Sequence, residues 1–319
     1  MSGAMLLQDA ASGRPLALLD SQVITVLRTA AATAVAVRHL ARPGSRRALL
    51  VGAGRQAPAQ VEALATVLRL EQLAVWDVQP ASAERLAGHA SSLGVPAHVP
   101  PSAAAGAQDS DVIVTVTPAL APVLRADEVP PGALVVAIGA DGPGKQEHEP
   151  ALLARSKVVV DVLEQAATSG ELAHALAAGL MAPEDVYAEL GEIVAGAKPG
   201  RTSDGETIVF DATGTALQDV AAALVIVEAA RARGVGLEVA RRMTEARPVG
   251  GCEPSYARIR TGSFVRRPSR LRPPEPSKLA LARARPRAAS ERATRTPPRR
   301  SGRSRGRRRS CRFRRCRRG

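Results

Sequence analysis

The residues best placed to do chemistry lie in Ala48-Leu49-Leu50-Val51-Gly52-Ala53-Gly54-Arg55-Gln56-Ala57. A short apolar run breaks into Gly-Ala-Gly, and a helical pattern starts at Pro58 and runs through Gln60, Val61, Leu64 and Leu68. Strand, glycine turn and helix N-terminus in that order make a seat for a pyrophosphate. Gly52 permits the tight turn, Gly54 lets the backbone approach the phosphates, and Ala57 lets the helix pack closely on the strand. Backbone N–H groups and the positive end of the helix dipole then face the anion. A second apolar run, Leu73-Ala74-Val75-Trp76, ends in Asp77, 20 residues after Ala57. A carboxylate there accepts bonds from both hydroxyls of an adenosine ribose and repels a 2′-phosphate. Val78, Gln79 and Pro80 follow it with no Arg to receive that phosphate, so the pattern predicts NAD rather than NADP.

Two further strand ends carry polar groups. Asp111-Val112-Ile113-Val114-Thr115-Val116-Thr117-Pro118 is apolar until the hydroxyls of Thr115 and Thr117. Ala133 to Ile138 opens into Gly139-Ala140-Asp141-Gly142-Pro143-Gly144-Lys145-Gln146-Glu147. In open α/β sheets such strand ends are where ligands bind. Asp141, beside Gly and Pro, also has the plainer reading of a turn-capping residue. Arg28 stands among small residues in Thr25-Val26-Leu27-Arg28-Thr29-Ala30-Ala31, where a ligand or a second backbone can come close; a surface ion pair is the alternative.

The elements that must position these residues alternate. Two short strands around Met5–Gln8 and Leu16–Leu19, joined at Ser12 to Pro15, precede a helix capped by Asp20 or Ser21 and running to about Leu40. After the first β-α-β unit come a helix over 81–93, a strand over 95–99 and a helix over 102–107. The strands at 111–118 and 133–138 follow, then one over 157–160 ending at Asp161 and a helix–loop region over 169–200. A strand at Thr207–Phe210 ends in Asp211-Ala212-Thr213-Gly214, with Asp211 read as capping a last helix over about 215–233. Apolar strands alternating with helical connections predict a parallel, doubly wound sheet of Rossmann type.

The 319 residues divide sharply by charge. Arg247 to Gly319 holds 24 Arg and one Lys against three Glu, a net of +22, whereas Met1 to Ala246 carries a net of −8. The tail cannot bury enough apolar surface to offset its ordering entropy and is expected to be disordered. An out-of-frame reading of a GC-rich gene would give the same composition. Its arginine runs would hold phosphate backbones nonspecifically. Tyr256, Phe264 and Phe313 are isolated, so no specific nucleic-acid partner is expected. All three cysteines, Cys252, Cys311 and Cys316, lie in this tail, leaving the body without a disulfide framework or a cysteine metal site, and no metal is expected. No uninterrupted apolar run approaches the roughly 20 residues of a membrane span. The N-terminus lacks a signal peptide's basic and apolar regions, so a cytoplasmic location and no membrane partner are the expectations.

Taken jointly, these segments resemble the ornithine cyclodeaminase/mu-crystallin family over about Met5 to Val239. The resemblance rests on Ile24-Thr25 leading into Arg28-Thr29-Ala30-Ala31, the Gly52–Ala57 turn, Thr115-Val116-Thr117-Pro118 and the Gly139–Glu147 loop. Glu189-Leu190-Gly191-Glu192 and Phe210 through Asp219 complete it. It implies a homodimer with an NAD-binding Rossmann domain and a second domain, for substrate and dimerisation, built from both chain ends. In the cyclodeaminase branch, NAD takes hydride from C2 of L-ornithine, the imine is closed by the δ-amine with loss of ammonia, and reduction gives L-proline. By motif, Arg28 would pair with the substrate carboxylate and reach the cofactor, and Asp141 would be the general base. Gly52, Gly54, Arg55, Gln56, Ala57, Asp77, Thr115, Thr117, Ile138, Gly139, Ala140 and Lys145 would line the cofactor.

The Gly-Ala-Asp-Gly-Pro-Gly-Lys form favours the cyclodeaminases over the crystallins. Ketimine reductases, alanine dehydrogenases and an inactive nucleotide-binding remnant are the alternatives. Family members carry several dozen residues ahead of the point matching Met1, supplying much of the dimerising sheet and further cationic substrate contacts. The expected organisation is therefore a piece of the substrate domain over 1–42, a Rossmann domain over 43–205, a return to an incomplete substrate domain over 206–246 and the basic tail over 247–319.

Overall fold

The computed structural model describes residues 3–238. The expectations for the Arg-rich tail and its cysteines lie outside the described residues.

The chain opens with β1 (Ala4–Gln8) and β2 (Pro15–Asp20), an antiparallel hairpin forming a sheet of its own. The long helix α1 (Ser21–Leu40) follows, its N-terminus capped by Asp20, which accepts a 2.8 Å bond from the Gln22 N–H. Then come β3 (Arg47–Val51), α2 (Ala57–Val67), β4 (Gln72–Trp76), α3 (Pro80–Ser92) and β5 (Ala97–His98). They are followed by α4 (Ala103–Gln108), β6 (Val112–Thr115), β7 (Leu120–Leu124), β8 (Leu134–Ala137) and β9 (Gln146–His148). Next are α5 (Pro150–Ala154), β10 (Lys157–Val160), α6 (Leu163–Ser169), α7 (Glu171–Ala177), β11 (Ala188–Glu189) and α8 (Leu190–Val194). The chain closes on β12 (Ile208–Asp211) and α9 (Ala216–Arg233).

Eight strands form one parallel sheet in the order β11-β10-β12-β8-β6-β3-β4-β5. Numbered by sequence from the β5 edge, the order is 3-2-1-4-5-8-6-7; its first five strands, β5 to β8, follow the doubly wound order that binds dinucleotides across the point where strand order reverses, here between β3 and β6. Period-two alternation builds the two core layers. Leu50, Val114, Val136 and Phe210 face Val37, Leu40, Val61 and Leu64 on one side. Their neighbours Leu49, Ile113, Val135 and Val209 face Leu152, Leu153 and Leu172 on the other.

The expected division at residue 206 does not hold. Strand β12 inserts between β8 and β10, inside the large sheet, because Ile208, Val209 and Phe210 are apolar on both faces and need cover on both. Helix α1 is not separable either. Its C-terminal half, with Ala36, Val37 and Leu40, joins the large core, and its N-terminal Ile24 meets Leu7, Ala223 and Val227 in a small one. At 20 residues and a mean hydropathy of 1.3, α1 is by length and composition apolar enough to cross a membrane, a match the run-length reading missed. It lies packed between α2 and α9.

Candidate active site

The turn after β3 has the conformation its sequence requires. Gly52 sits at φ +100°, and a Cβ there would stand 2.8 Å from the Val116 carbonyl oxygen. Its N–H continues the sheet to the Trp76 carbonyl at 2.8 Å. Around Gly54 the space is open, leaving backbone exposed to an approaching ligand. Among the described residues, the N–H groups of Gly54, Arg55 and Gln56 donate to no protein acceptor, and Gln56 Oε1 is buried without a partner. Free donors at the start of an 11-residue helix fit a pyrophosphate. Ala57 is fully buried against β3's neighbours, as close helix–strand packing demands.

Asp77 ends β4 and buttresses the turn. One oxygen accepts from the Ala53 N–H at 2.7 Å and the other from the Gln79 N–H at 2.8 Å. Arg55 reaches back to α1, where Nη1 donates to Gln22 Oε1 at 2.6 Å.

Strand β8 passes into buried Ile138, Gly139 and Ala140, and Asp141 emerges exposed, ion-paired with Lys145. The Lys145 carbonyl is in turn bonded to His174 Nε2 at 2.8 Å. Arg28 projects from α1 toward the chain after β12. Its Nε pairs with Asp219 at 3.1 Å and its Nη1 donates to Gln218 at 3.4 Å, both on α9. The guanidinium fills the space a Cβ on Gly214 would take. Arg28 therefore makes the ion pair of its plainer reading and at the same time stands at the sheet's C-terminal edge.

Thr115 is fully buried, with its hydroxyl 2.8 Å from Glu147 Oε2 and 2.9 Å from His148 Nε2. It meets the crevice through Glu147, not by offering its hydroxyl to a ligand. Thr117 Oγ accepts from the Ala119 N–H at 3.2 Å, while its own N–H goes to Glu147. Asp211 caps α7, accepting from the Leu172 N–H at 2.9 Å; the last helix, α9, is capped by Thr215 instead.

Sequence reasoning missed the buried acids beneath these loops. Glu147, Glu171 and Asp211 are completely buried, and none has an ion-pair partner among the described residues. Burial pushes Glu147 above the usual carboxyl range despite its hydrogen bonds. Burial, with the Asp211 and Glu147 carboxyls nearby, lifts Glu171 to about 9. Burial, with Asp161 and Glu147 nearby, lifts Asp211 to about 7. Burial also drives His148 down to about 3, so it is neutral. The one available signal was Glu147 following an apolar strand's loop at fixed spacing, which a solvated loop Glu would share.

A doubly wound parallel sheet with a glycine turn, free N–H donors and an acid at the second strand's end defines a dinucleotide-binding protein, and its exposed edge adds a carboxylate and a guanidinium. Residues 2–234 match the ornithine cyclodeaminase/mu-crystallin family, and the chain belongs to it. It is 43% identical over 235 residues to an alanine dehydrogenase of Archaeoglobus fulgidus, covering 74% of this chain and 72% of the relative. It is 41% identical over 235 residues to an iminosuccinate reductase of Paracoccus denitrificans, with the same two coverages. A solved archaeal alanine dehydrogenase dimer with bound NAD, 41% identical, superposes with a TM-score of 0.72 over 75% of this chain and 74% of that one. Solved neighbours hold NAD or NADH, and NAD is the cofactor this site takes.

Proposed function

We propose that the chain transfers a hydride between NAD and the α-carbon of a small α-amino acid, or its imino acid, and works as a homodimer. One observation carries the chemistry. Asp211 of β12 pairs in register with Ala137 of β8, so the segments leaving these strands start side by side. The segment leaving β8 leads to Asp141, and the segment leaving β12 leads to Gly214, against which Arg28 rests. When bound, NAD supplies the acceptor and donor of hydride. Arg28 offers a planar pair of donors to the substrate carboxylate, a task for which a Lys is no substitute. Asp219 and Gln218 hold that guanidinium in orientation. Asp141 is exposed and takes the proton from the amine as the imine forms, or returns it in the reductive direction. Similarity to an alanine dehydrogenase and an iminosuccinate reductase supports this reading.

The Gly-Ala-Asp-Gly-Pro-Gly-Lys loop favours a second reading, the ornithine cyclodeaminase reaction, in which the same two residues serve an oxidation and a reduction on one substrate with ammonia lost between them. Mixing the protein with NAD⁺ and, in turn, L-alanine, L-aspartate and L-ornithine separates them. NADH accumulating with ammonia supports the dehydrogenase, and proline with ammonia but without NADH supports the cyclodeaminase. No product from any of these, or full activity in Asp141→Asn, would sink both.

Dimerisation is supported by apolar side chains left exposed on the hairpin, α1 and α9. Leu18 is 73% exposed, Leu217 is 78% and Leu224 is 44%, and exposed apolar surface of this kind marks an association face. Leu18→Asp with Leu224→Asp should convert a dimer to a monomer in sedimentation; a wild-type monomer would overturn this part.

A further inference from the structure

Glu147 lies in the same loop as Asp141 but is turned into the protein. Its Oε1 accepts from the Thr117 N–H at 2.6 Å, and its Oε2 accepts from the Gly139 N–H at 2.7 Å and the Thr115 hydroxyl at 2.8 Å. Thr117 follows β6 and Gly139 follows β8. These are the first strands beyond the switch point, the half of a doubly wound sheet that faces the nicotinamide when β3, β4 and β5 take the adenosine. The fit is tight: a Cβ on Gly139 would run into the Thr117 carbonyl oxygen and the Glu147 carboxyl group. The carboxylate receives the two N–H groups from between the strands on separate oxygens, and each buried backbone donor needs such a partner.

The acids behind Glu147 have other tasks. Glu171 accepts from the Glu147 and His148 N–H groups at 2.6 and 3.2 Å, holding β9. Asp211 holds the start of α7. Neither accepts from the Thr117 or Gly139 N–H. The adenosine half has its own supports in Gly52, Gly54 and Asp77, none of which bonds to Glu147.

We propose that Glu147 is a positioning residue for the nicotinamide half of the cofactor, tying the ends of β6 and β8 together through the Thr117 and Gly139 N–H groups. The role rests on the NAD crevice and is independent of which amino acid is the substrate, so its test contains no amino acid.

The experiment compares NAD⁺, NADH and ADP-ribose binding to the full chain by calorimetry. In Glu147→Gln the amide oxygen can still accept, but the amide nitrogen is set against a backbone donor. NAD⁺ and NADH should each bind about tenfold more weakly, the scale of one lost hydrogen bond. ADP-ribose, which lacks the nicotinamide, should bind within about twofold of wild type, which also shows that the variant is folded. Equal losses for NAD⁺ and ADP-ribose, or no loss for either, would overturn the proposal. Should Glu147→Gln fail to fold, Thr115→Val removes the third bond to Glu147, together with the Thr115–His148 contact, and should weaken NAD⁺ by roughly two- to threefold with ADP-ribose unchanged; unchanged NAD⁺ affinity there overturns it. Glu171→Gln, equally buried but bonded only to β9, should leave the ratio of the two affinities as it is. A matching shift in that variant would assign the effect to general stability and overturn the positioning role.

Discussion

The two sides of the sheet's C-terminal edge are built by opposite means. On the cofactor side almost every polar group is already engaged or aimed: Asp77 on the Ala53 N–H, Glu147 on Thr117 and Gly139, and three free N–H groups after Gly52 facing outward. On the proposed substrate side Arg28 is mostly buried and Asp141 exposed, and each is held by a single ion pair, to Asp219 and to Lys145. The small core there, around Leu7, Ile24, Ala223 and Val227, has far fewer buried members than either layer of the sheet. The cofactor side presents backbone N–H groups that the turn and its buttressing carboxylates hold in place, so they cannot move. The proposed substrate's carboxylate and amine would be met by side chains, which can. On the function proposed above, backbone geometry should set nucleotide affinity and side-chain orientation should set turnover.

Breaking the cofactor side should have the largest effect. Gly52→Val puts a β-branched residue at φ +100° and against the Val116 carbonyl oxygen. The backbone strain alone is about 1–3 kcal/mol, and the clash displaces the turn whose N–H groups receive the pyrophosphate. NAD binding measured by calorimetry should weaken on the order of a hundredfold or more, since about 2.8 kcal/mol corresponds to that factor. The proposed dimer should persist in sedimentation, because Gly52 lies in neither the hairpin nor α9. Retained NAD affinity would mean that the turn is more adaptable than its packing shows.

Next comes the substrate side. Arg28→Lys keeps a positive charge near Asp219 but loses the planar pair of donors. KM for the amino acid should rise about ten- to a hundredfold, matching the roughly 1.5–3 kcal/mol of a charged hydrogen bond. NAD affinity should stay within about twofold on the same scale. If NAD affinity fell by the same factor as KM rose, Arg28 would belong to the cofactor side and the division drawn above would shift with it.

That division also marks what could be read from the residues alone. The β3–turn–α2–β4 unit was legible because its signals are local: an apolar run, Gly-Ala-Gly, a 3.6-residue period and an acid at fixed distance. The position of β12 was not. Ile208, Val209 and Phe210 announce a buried strand, but nothing in them says that it lies between β8 and β10, since that pairing spans more than 70 residues of chain. The parallel pair β7 and β9 was missed because both are short and β7 is mostly exposed, leaving no alternation to detect. Asp211 read as a cap for the helix that follows it, whereas folding brings it to α7, which precedes it by some 40 residues. Glu147 carries no legible role in the sequence, because a loop Glu is most often solvated. Its burial follows only once β6 and β8 stand side by side and present two N–H groups that need an acceptor.

The smallest effect is expected from the acids behind Glu147, whose carboxyls accept from neither the Thr117 nor the Gly139 N–H. Glu171 and Asp211 hold their protons to about 9 and about 7, against ordinary values of 4.5 and 3.8. Between those limits the folded chain binds more protons than the unfolded one. Stability linked to these groups is therefore full on the acid side, below the unfolded values, and is lost as pH rises through the folded ones. Because Glu147, Glu171 and Asp211 lie together, with neutral His148 beside them, they titrate as a unit and not as separate sites. Glu171→Gln removes one member of that unit while keeping its size and one acceptor oxygen. The melting temperature of the wild type should fall between pH 6 and pH 9, and that of Glu171→Gln should fall less, by a few degrees on a scale of about 2–4 °C per kcal/mol. Identical slopes would show that the cluster keeps its proton elsewhere, on Glu147. That would tie the pH response to the cofactor side after all, and NAD affinity would then change over the same pH range.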